Sequence, residues 1–147
     1  MTVESTDVGT LLHITAGPYT LTGALERERA PQTCAVFERA LPFHSRLIHA
    51  RWSGESAWIP LGDLDFGVGH ENSTSHPAPG EVLLYPGGLS ETEILFPYGA
   101  ALFASKVGQL AGNHFLTIAE GREHLRPLGE LVLWEGAKEI VFEAIEG

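Results

Sequence analysis

Two short apolar runs between glycine and proline stops constrain the fold of this chain more than any other feature. Val82–Tyr85 follows Pro79-Gly80, and Ile94–Phe96 is closed by Pro97-Tyr98-Gly99. Runs of this length are too short for typical helices and are typical of buried strands. We therefore predict two central strands with the loop Pro86–Thr92 at their common end, and we expect the functional surface near that loop.

The polar segment His70–His76 could form a short extended segment, and seven further apolar or alternating runs predict strands. They are Leu11–Ala16, Tyr19–Leu25, Arg46–Trp52, Ala57–Pro60, Ala100–Val107, His114–Ala119 and Glu139–Ile145. The first two flank Gly17-Pro18 and predict a hairpin. Ala57–Pro60 is expected as a short edge strand, because an edge tolerates proline.

Two segments show helical spacing. Ala30–Leu41 places Cys34, Phe37 and Leu41 three or four residues apart, which predicts an amphipathic helix with Cys34 in the core. Pro31 suits the first turn of this helix. A second pattern, Glu123–Leu133, contains Pro127 and Gly129, which we expect to shorten any helix there.

These elements predict a mainly β protein, a closed β-barrel of about eight strands with one or two short helices. Closure is expected because an open sheet of that size would leave edges to cover. At 147 residues, a single domain over residues 11–147 is expected, preceded by a flexible arm at residues 1–10.

Composition narrows the classes of partner. Nine Lys and Arg residues against 19 Asp and Glu residues give a formal charge of −10, which disfavours nucleic acid and anionic membranes as partners. The single cysteine precludes an internal disulfide and fits a reducing compartment. The N-terminal residues are acidic and polar, unlike a signal peptide, and no apolar run approaches the roughly 20 residues of a membrane span. We expect a soluble, cytoplasmic protein.

The loop between the central strands carries two carboxyl groups, Glu91 and Glu93. They flank Thr92, and we expect them to point to opposite faces instead of forming one carboxylate pair. One of them, facing a pocket, could serve as a general base or as an anchor for a cationic or amide group. The alternative is a solvated pair in a turn.

Arg51 and His49 are expected on one face of the Arg46–Trp52 strand. In a pocket, Arg51 would bind a carboxylate with its two-pronged guanidinium and His49 could transfer protons. Facing water, they would be the wet side of an antiparallel sheet. Trp58 and Tyr85 could supply an aromatic wall, and His114 is expected to cap a turn or line the pocket.

Other chemistries lack their sequence patterns. The histidines near Glu71 match no compact zinc motif, so no metal site is expected. Gly87-Gly88 lacks the lysine of a phosphate-binding loop. No Gly-x-Ser-x-Gly nucleophile elbow is present, since Ser90 follows Gly-Gly-Leu without an adjacent base. No cofactor is expected.

The chain resembles a known family in several short motifs. Ala30–Phe37 resembles the start of the first cyclophilin helix. Arg51-Trp52, Pro79-Gly80-Glu81, Tyr98-Gly99 and Gly108-Gln109 are similar, in that order, to bacterial cyclophilin-like domains of unknown function, the DUF3830 type. The resemblance runs from Leu11 to Ile145 and implies a closed cyclophilin-like barrel.

The resemblance also has departures. Leu47–Gly62 lacks the Gln-Gly-Gly-Asp block of the proline isomerases, and Glu91 and Glu93 stand where that family has amides. Related cyclophilin-like folds act on small amides and ureas, which is an analogy of fold. We therefore predict that the protein binds a small carboxylate- or amide-bearing metabolite in a pocket at the barrel mouth, with hydrolysis of that metabolite as the catalytic form of the same hypothesis.

The alternatives are a non-catalytic, oligomeric interaction module and a residual peptidyl-prolyl isomerase, and a homo-oligomer is expected in any case. The candidate pocket residues are His49, Arg51, Trp58, Tyr85, Glu91, Glu93 and His114.

Overall fold

A computed structural model describes residues 11–145. The arm expected at residues 1–10 and the last two residues of the predicted domain, 146–147, lie outside the described residues.

The strands are β1 Leu11–Ala16, β2 Tyr19–Leu25, β3 Phe43–His49, β4 Ser56–Pro60, β5 Ser73–Thr74, β6 Glu81–Tyr85, β7 Glu93–Pro97, β8 Ala104–Ser105, β9 Gly108–Gln109, β10 Gly112–Glu120 and β11 Lys138–Ala144. The helices are α1 Pro31–Arg39 and α2 Leu125–Glu135, the latter preceded by a 3₁₀ turn, Arg122–His124. Neither is long and apolar enough to cross a membrane, and the described chain holds no other α-helix.

Eight antiparallel strands close into a barrel. Their order is β2-β1-β11-β3-β4-β7-β6-β10, and β10 returns to pair with β2 from Leu116↔Leu25 to Glu120↔Thr22. The short β5 adds to β10 outside this ring. The predicted mainly β fold, a closed barrel of about eight strands with two helices, is confirmed.

Alternation along the strands fills the barrel with apolar side chains. Leu12, Ile14 and Ala16 of β1 are buried while their neighbours are not, which is the period of two expected of a strand with one face inside. Helix α1 adds Phe37, fully buried, whose ring meets Phe115 edge-on at 5.0 Å. The barrel interior is therefore filled by side chains and forms a packed core.

A second, smaller core lies on the outer face of β6 and β7. Leu83 and Tyr85 of β6 and Leu95 of β7 alternate with inward residues, so their side chains point away from the barrel interior. The segment that contains β8 and β9 covers them with Phe103 and Leu110, both buried. This outer core fixes an otherwise irregular segment against the barrel, beside the site described below.

Two strand predictions differ from the structure around the first half of the chain. β3 ends at His49, so Arg51 lies in the following bend and does not share a strand face with His49. β4 is not an edge strand, since it lies between β3 and β7. Pro60 is tolerated because it lies beyond the last pair with β3, which is Ile48↔Trp58.

Two other segments predicted as extended are mostly irregular. Within Ala100–Val107 only Ala104–Ser105 pairs, and within His70–His76 only Ser73–Thr74 pairs. The second helix, in contrast, is longer than predicted and contains both Pro127 and Gly129. Pro127 falls in its first turn, where a backbone N–H has no partner within the helix.

Candidate functional site

A cavity of about 180 Å³ lies on the outer face of the barrel, at the edge of the outer core. Trp58 of β4 and Glu93 of β7 line it from the sheet. Its walls are the bend Ala50–Ser53, the loop residues Ser90-Glu91, and the turn Ala104–Lys106. Three segments far apart in sequence thus surround two residues on neighbouring strands.

Strand alternation places Trp58 and Glu93 on this face. Ala57 and Ile59 belong to the barrel interior, so Trp58 between them points outward, and Ile94 turns inward next to Glu93. In the β4–β7 register, Trp58 pairs with Leu95 and Pro60 pairs with Glu93. The cavity is therefore on the outside of the sheet, and the predicted position at the barrel mouth is not where the structure has it.

Glu93 is the chemically distinctive residue of the cavity. It is only 5% exposed, and its carboxyl group makes no hydrogen bond or ion pair with any described residue. Burial and, to a smaller degree, the nearby Glu91 carboxylate together raise its pKa to about 8. At neutral pH the group is therefore mostly protonated and can donate as well as accept a hydrogen bond.

The rim of the cavity carries two cations on different walls. Arg51 and Lys106 are both exposed, and neither forms an ion pair with a carboxylate of the described chain. The Arg51 guanidinium carbon lies 5.8 Å from the ring centroid of Trp52, which is 53% exposed. The side chains needed to bind an anion are thus present at the entrance and have no carboxylate partner within residues 11–145.

Ser53 joins two of the walls. Its buried hydroxyl donates a hydrogen bond to the Ala104 carbonyl oxygen at 2.9 Å and accepts one from the Ala104 N–H at 3.1 Å. The Ser56 hydroxyl in turn donates to the Ser53 carbonyl oxygen at 3.1 Å. The Ser53 hydroxyl thus bonds both backbone groups of Ala104. These bonds hold the bend Ala50–Ser53 and the β8–β9 turn at a fixed distance from each other across the cavity.

Tyr85 holds the third wall. Its hydroxyl accepts hydrogen bonds from the N–H groups of Leu89, at 3.0 Å, and Ser90, at 3.4 Å. The Thr92 hydroxyl donates to the Leu64 carbonyl oxygen at 2.7 Å, which fastens the end of the same loop. The glycine-rich loop is therefore anchored at the point where it meets the cavity.

Of the predicted pocket residues, four line the cavity together: Arg51, Trp58, Glu91 and Glu93. The expectation that Glu91 and Glu93 point to opposite faces is wrong, because residues two apart in an extended chain lie on the same side. Tyr85 lies behind the cavity as the support of one wall.

The two predicted histidines lie elsewhere. His49 accepts or donates at Nε2 with the Tyr98 hydroxyl at 2.7 Å, and its Nδ1 lies 2.9 Å from the Ala50 carbonyl oxygen. His114 Nε2 lies 2.7 Å from the Thr117 hydroxyl, which donates to Glu26 at 2.6 Å. Neither imidazole lines the cavity.

Sequence reasoning missed Lys106, Trp52 and Ser53. Ser105-Lys106-Val107-Gly108 carries the signal of a turn, a serine and a glycine around a polar residue, which would have placed Lys106 at a loop tip instead of inside a strand. Ser53 had no local signal, because its partner is 51 residues away. No group of three metal-ligating side chains comes together among residues 11–145.

Comparison with known proteins bears on the fold and the family. The model of DUF3830, a family of proteins of unknown function, matches residues 12–144. No curated protein matches the sequence. The fold is similar to that of McbB, solved in complex with tryptophan, with 18% identity and a TM-score of 0.67 over 92% of this chain and 45% of that chain.

A second similar structure is the solution structure of the hypothetical protein AF2241 from Archaeoglobus fulgidus. It shows 19% identity and a TM-score of 0.56 over 94% of this chain and 96% of that chain. This chain therefore spans less than half of the McbB chain and nearly all of AF2241. At such identities the likeness shows a shared barrel fold and nothing about ligands.

Proposed function

We propose, for a chain that belongs to the DUF3830 family of proteins of unknown function, that its outer-face cavity binds a small molecule bearing a carboxylate or an amide group. The observation that carries the proposal is Glu93, which is only 5% exposed and whose carboxyl group, without a protein partner, opens on a cavity. A carboxyl group that is largely removed from water normally has a protein partner. A ligand that supplies the missing partner is the explanation we favour.

The residues around Glu93 suit such a ligand. Arg51 and Lys106 at the rim offer a carboxylate two cations, and the planar guanidinium of arginine can bind both oxygens at once. Trp58 offers an aromatic wall beside them. The cavity is smaller than the roughly 300–1,000 Å³ of sites for drug-sized ligands, which favours a metabolite of about the size of an amino acid.

A hydrolytic activity is a narrower form of the same proposal. A carboxyl group whose pKa of about 8 lies close to neutral pH is suited to move protons in either direction. In that case Glu93 would accept the proton of an attacking water molecule, and Arg51 or Lys106 would hold the substrate. Turnover of cyclic amides or ureas, lost in Glu93→Gln, would be the sign of this activity.

The binding proposal can be tested by titration. Small carboxylates, cyclic amides and ureas are screened by thermal shift, with tryptophan added because McbB was solved with that molecule. The best ligand is then titrated by calorimetry into the protein and its variants. We expect Arg51→Ala to weaken a carboxylate ligand about 10-fold or more, equivalent to about 1.4 kcal/mol.

Arg29→Ala is the matched control, because Arg29 is an exposed arginine away from the cavity. It should leave the affinity unchanged. A flat screen, or equal losses in both variants, would count against the proposal.

An oligomeric interaction module is a second candidate, favoured by one observation. Trp134 at the end of α2 is 81% exposed and its neighbour Leu133 is 47% exposed. A second copy of the chain would remove this apolar surface from water. Sedimentation equilibrium of the wild type and of Trp134→Ser tests this, and a monomer in both would reject it.

A further inference from the structure

We propose that the ligand of the outer-face cavity carries both an ammonium and a carboxylate group, as an amino acid does, with the ammonium paired to Glu93 and the carboxylate held by Arg51 and Lys106. The inference rests on the proposed function, since it specifies the charge pattern of the ligand for the same cavity. It is argued from the positions of the charged groups around that cavity.

The floor of the cavity is suited to a cation. Glu93 lies on the sheet and is only 5% exposed, and its carboxyl oxygens open on the cavity with no hydrogen-bond partner in the described chain. Glu91 lines the same cavity and adds a second carboxylate. A ligand ammonium would pair with Glu93 and supply it with hydrogen bonds, which is the usual way a buried carboxylate is compensated.

Trp58 strengthens the attraction for a cation at this point. It lines the cavity from β4, the strand next to Glu93 on β7. An ammonium group within about 6 Å of an indole face is attracted electrostatically by the ring. A neutral or anionic ligand would gain no cation–π attraction from this indole.

The rim of the cavity has the opposite charge. Arg51 belongs to the bend after β3 and Lys106 to the β8–β9 turn, and both line the cavity. Neither cation has a carboxylate partner among the described residues, so both are available to an anion. A negative floor below a positive rim, in a cavity of about 180 Å³, matches a small dipolar molecule better than a plain carboxylate.

The pairing predicts a proton release. With a pKa of about 8, Glu93 is mostly protonated at pH 7, and it must lose this proton to pair with an ammonium group. Binding at pH 7 should therefore release close to one proton, and the affinity should rise about tenfold between pH 6 and pH 7. A ligand that accepts a hydrogen bond from the protonated carboxyl would release none, and its affinity would be flat over this range.

The experiment begins with a thermal-shift screen of the twenty standard amino acids at pH 7.5. The best one is titrated by calorimetry beside two relatives, the acid that lacks its amino group and the amine that lacks its carboxylate. Titrations in two buffers with different ionisation enthalpies give the number of protons released. We expect the amino acid to bind at least 10-fold more tightly than either relative and to release close to one proton.

Variants assign the two charged groups. Glu93→Gln should reduce the affinity for the amino acid to that for the acid lacking the amino group and abolish the proton release. Arg51→Ala should reduce the affinity for the amino acid to that for the amine lacking the carboxylate. Glu28→Gln is the matched control, an exposed glutamate away from the cavity, and should keep the preference for the amino acid and the proton release.

The outcomes separate the two proposals. The dipolar ligand is rejected if simple carboxylates bind as tightly as the amino acid, or if the amino acid binds without proton release. In either case the proposed binding function stands. If neither amino acids nor the carboxylates, amides and ureas of the first screen bind, the proposed function fails as well. The proton count is measured on the wild type, so it does not depend on how any variant folds.

Discussion

Glu93 occupies a strand position at which an apolar side chain would be more stable. All five residues of β7 are buried, and Glu93 lies between Pro60 of β4 and Tyr85 of β6. Its carboxyl group gives up much of its hydration on folding without gaining a protein partner, which lowers the stability of the fold. Proteins that keep such a group usually do so for binding or catalysis, at the expense of stability.

This cost predicts a pH dependence of stability. The pKa of Glu93 is about 8 in the folded protein and about 4.5 in the unfolded chain, so the folded state holds the proton more tightly. The stabilisation from that proton is complete below pH 4.5 and is lost as the pH rises to about 8. We expect the free energy of unfolding to fall by up to about 1.4 kcal/mol per pH unit between pH 5 and pH 8 from this group.

Urea denaturation of the wild type and Glu93→Gln between pH 5 and pH 8 measures this effect. The variant, which cannot ionise, should gain stability relative to the wild type as the pH rises. Glu28→Gln, which replaces an exposed glutamate away from the cavity, should follow the wild type. Parallel curves for the wild type and Glu93→Gln would show that residue 93 keeps an ordinary pKa.

At the scale of residues, the sequence shows which side chains are candidates for the site better than it shows whether they are buried or lie in a strand. Glu93 could be singled out because it is an acid at the start of an apolar run. Its burial could not be predicted, because the bend Ala50–Ser53 and the turn Ala104–Lys106 that surround its cavity are distant from it in sequence. Arg51 was assigned to a strand because its alternating pattern continues past His49, where the hydrogen-bonded ladder ends.

At the scale of elements, helix α1 is capped by a residue distant in sequence. Ala30, at its N-cap, makes no side-chain hydrogen bond to the first turn. The Glu71 carboxylate instead accepts from the Thr33 N–H at 2.6 Å and from the Thr33 hydroxyl at 2.7 Å. The Asn113 amide donates to the same hydroxyl at 3.1 Å, which ties the helix and the loop before β5 to β10.

We expect Glu71→Ala to destabilise the protein by about 1–2 kcal/mol, because the fully buried Thr33 loses the acceptor for its N–H. The measurement is the urea midpoint at constant slope. Glu28→Ala is the control, since Glu28 is an exposed glutamate and should give no change beyond about 0.5 kcal/mol. Equal midpoints for Glu71→Ala and wild type would contradict a capping role.

Helix α2 depends on a glycine in its interior. The Tyr98 ring packs against Gly129 so closely that a Cβ atom there would overlap the ring carbons. Tyr98 cannot move aside freely, because its hydroxyl is bonded to His49 and its ring faces the Arg126 guanidinium at 5.3 Å. Sequence reasoning treated Gly129 only as a helix breaker, since the partner ring is not local.

Gly129→Ala should therefore destabilise the protein, although alanine is the better helix former. Overpacking costs about 1–3 kcal/mol, while the helix gains at most about 1 kcal/mol, so we expect a net loss of about 1–2 kcal/mol. Thermal and urea unfolding measure it. In Gly69→Ala the new Cβ meets no atom within 4 Å, and its stability should stay close to wild type. A stabilised Gly129→Ala would show that the ring yields.

At the scale of the whole molecule, closure of the barrel was predictable and the strand order was not. The count of short runs and the difficulty of covering sheet edges led to a closed barrel. The order places β11 between β1 and β3 and pairs β10 with β2, and each of these pairings joins residues more than 90 positions apart. Such long-range register leaves no local pattern. The edge position expected for β4 rested on Pro60 alone, and its place between β3 and β7 has no local signal.

Closure of the barrel predicts that amides at the β2–β10 junction, the seam of the barrel, are as well protected from hydrogen exchange as amides elsewhere in the sheet. Amide hydrogen exchange of β2 and β10 should be as slow as that of β4 and β7, because every one of these strands has a neighbour on both sides. Exchange followed by mass spectrometry or NMR near 25 °C measures this. Fast exchange limited to the facing amides of β2 and β10 would show a barrel that opens at that seam.

The separation between the interior core and the outer core has a consequence for how this protein can diversify. The barrel is stabilised from within, while the cavity is bounded by the bend after β3, the loop before β7 and the β8–β9 turn. Residues on those walls, such as Arg51 and Lys106, can be exchanged with little effect on the interior packing. A new ligand preference can therefore arise by mutation of surface loops alone, as in scaffolds that are recruited repeatedly for different metabolites.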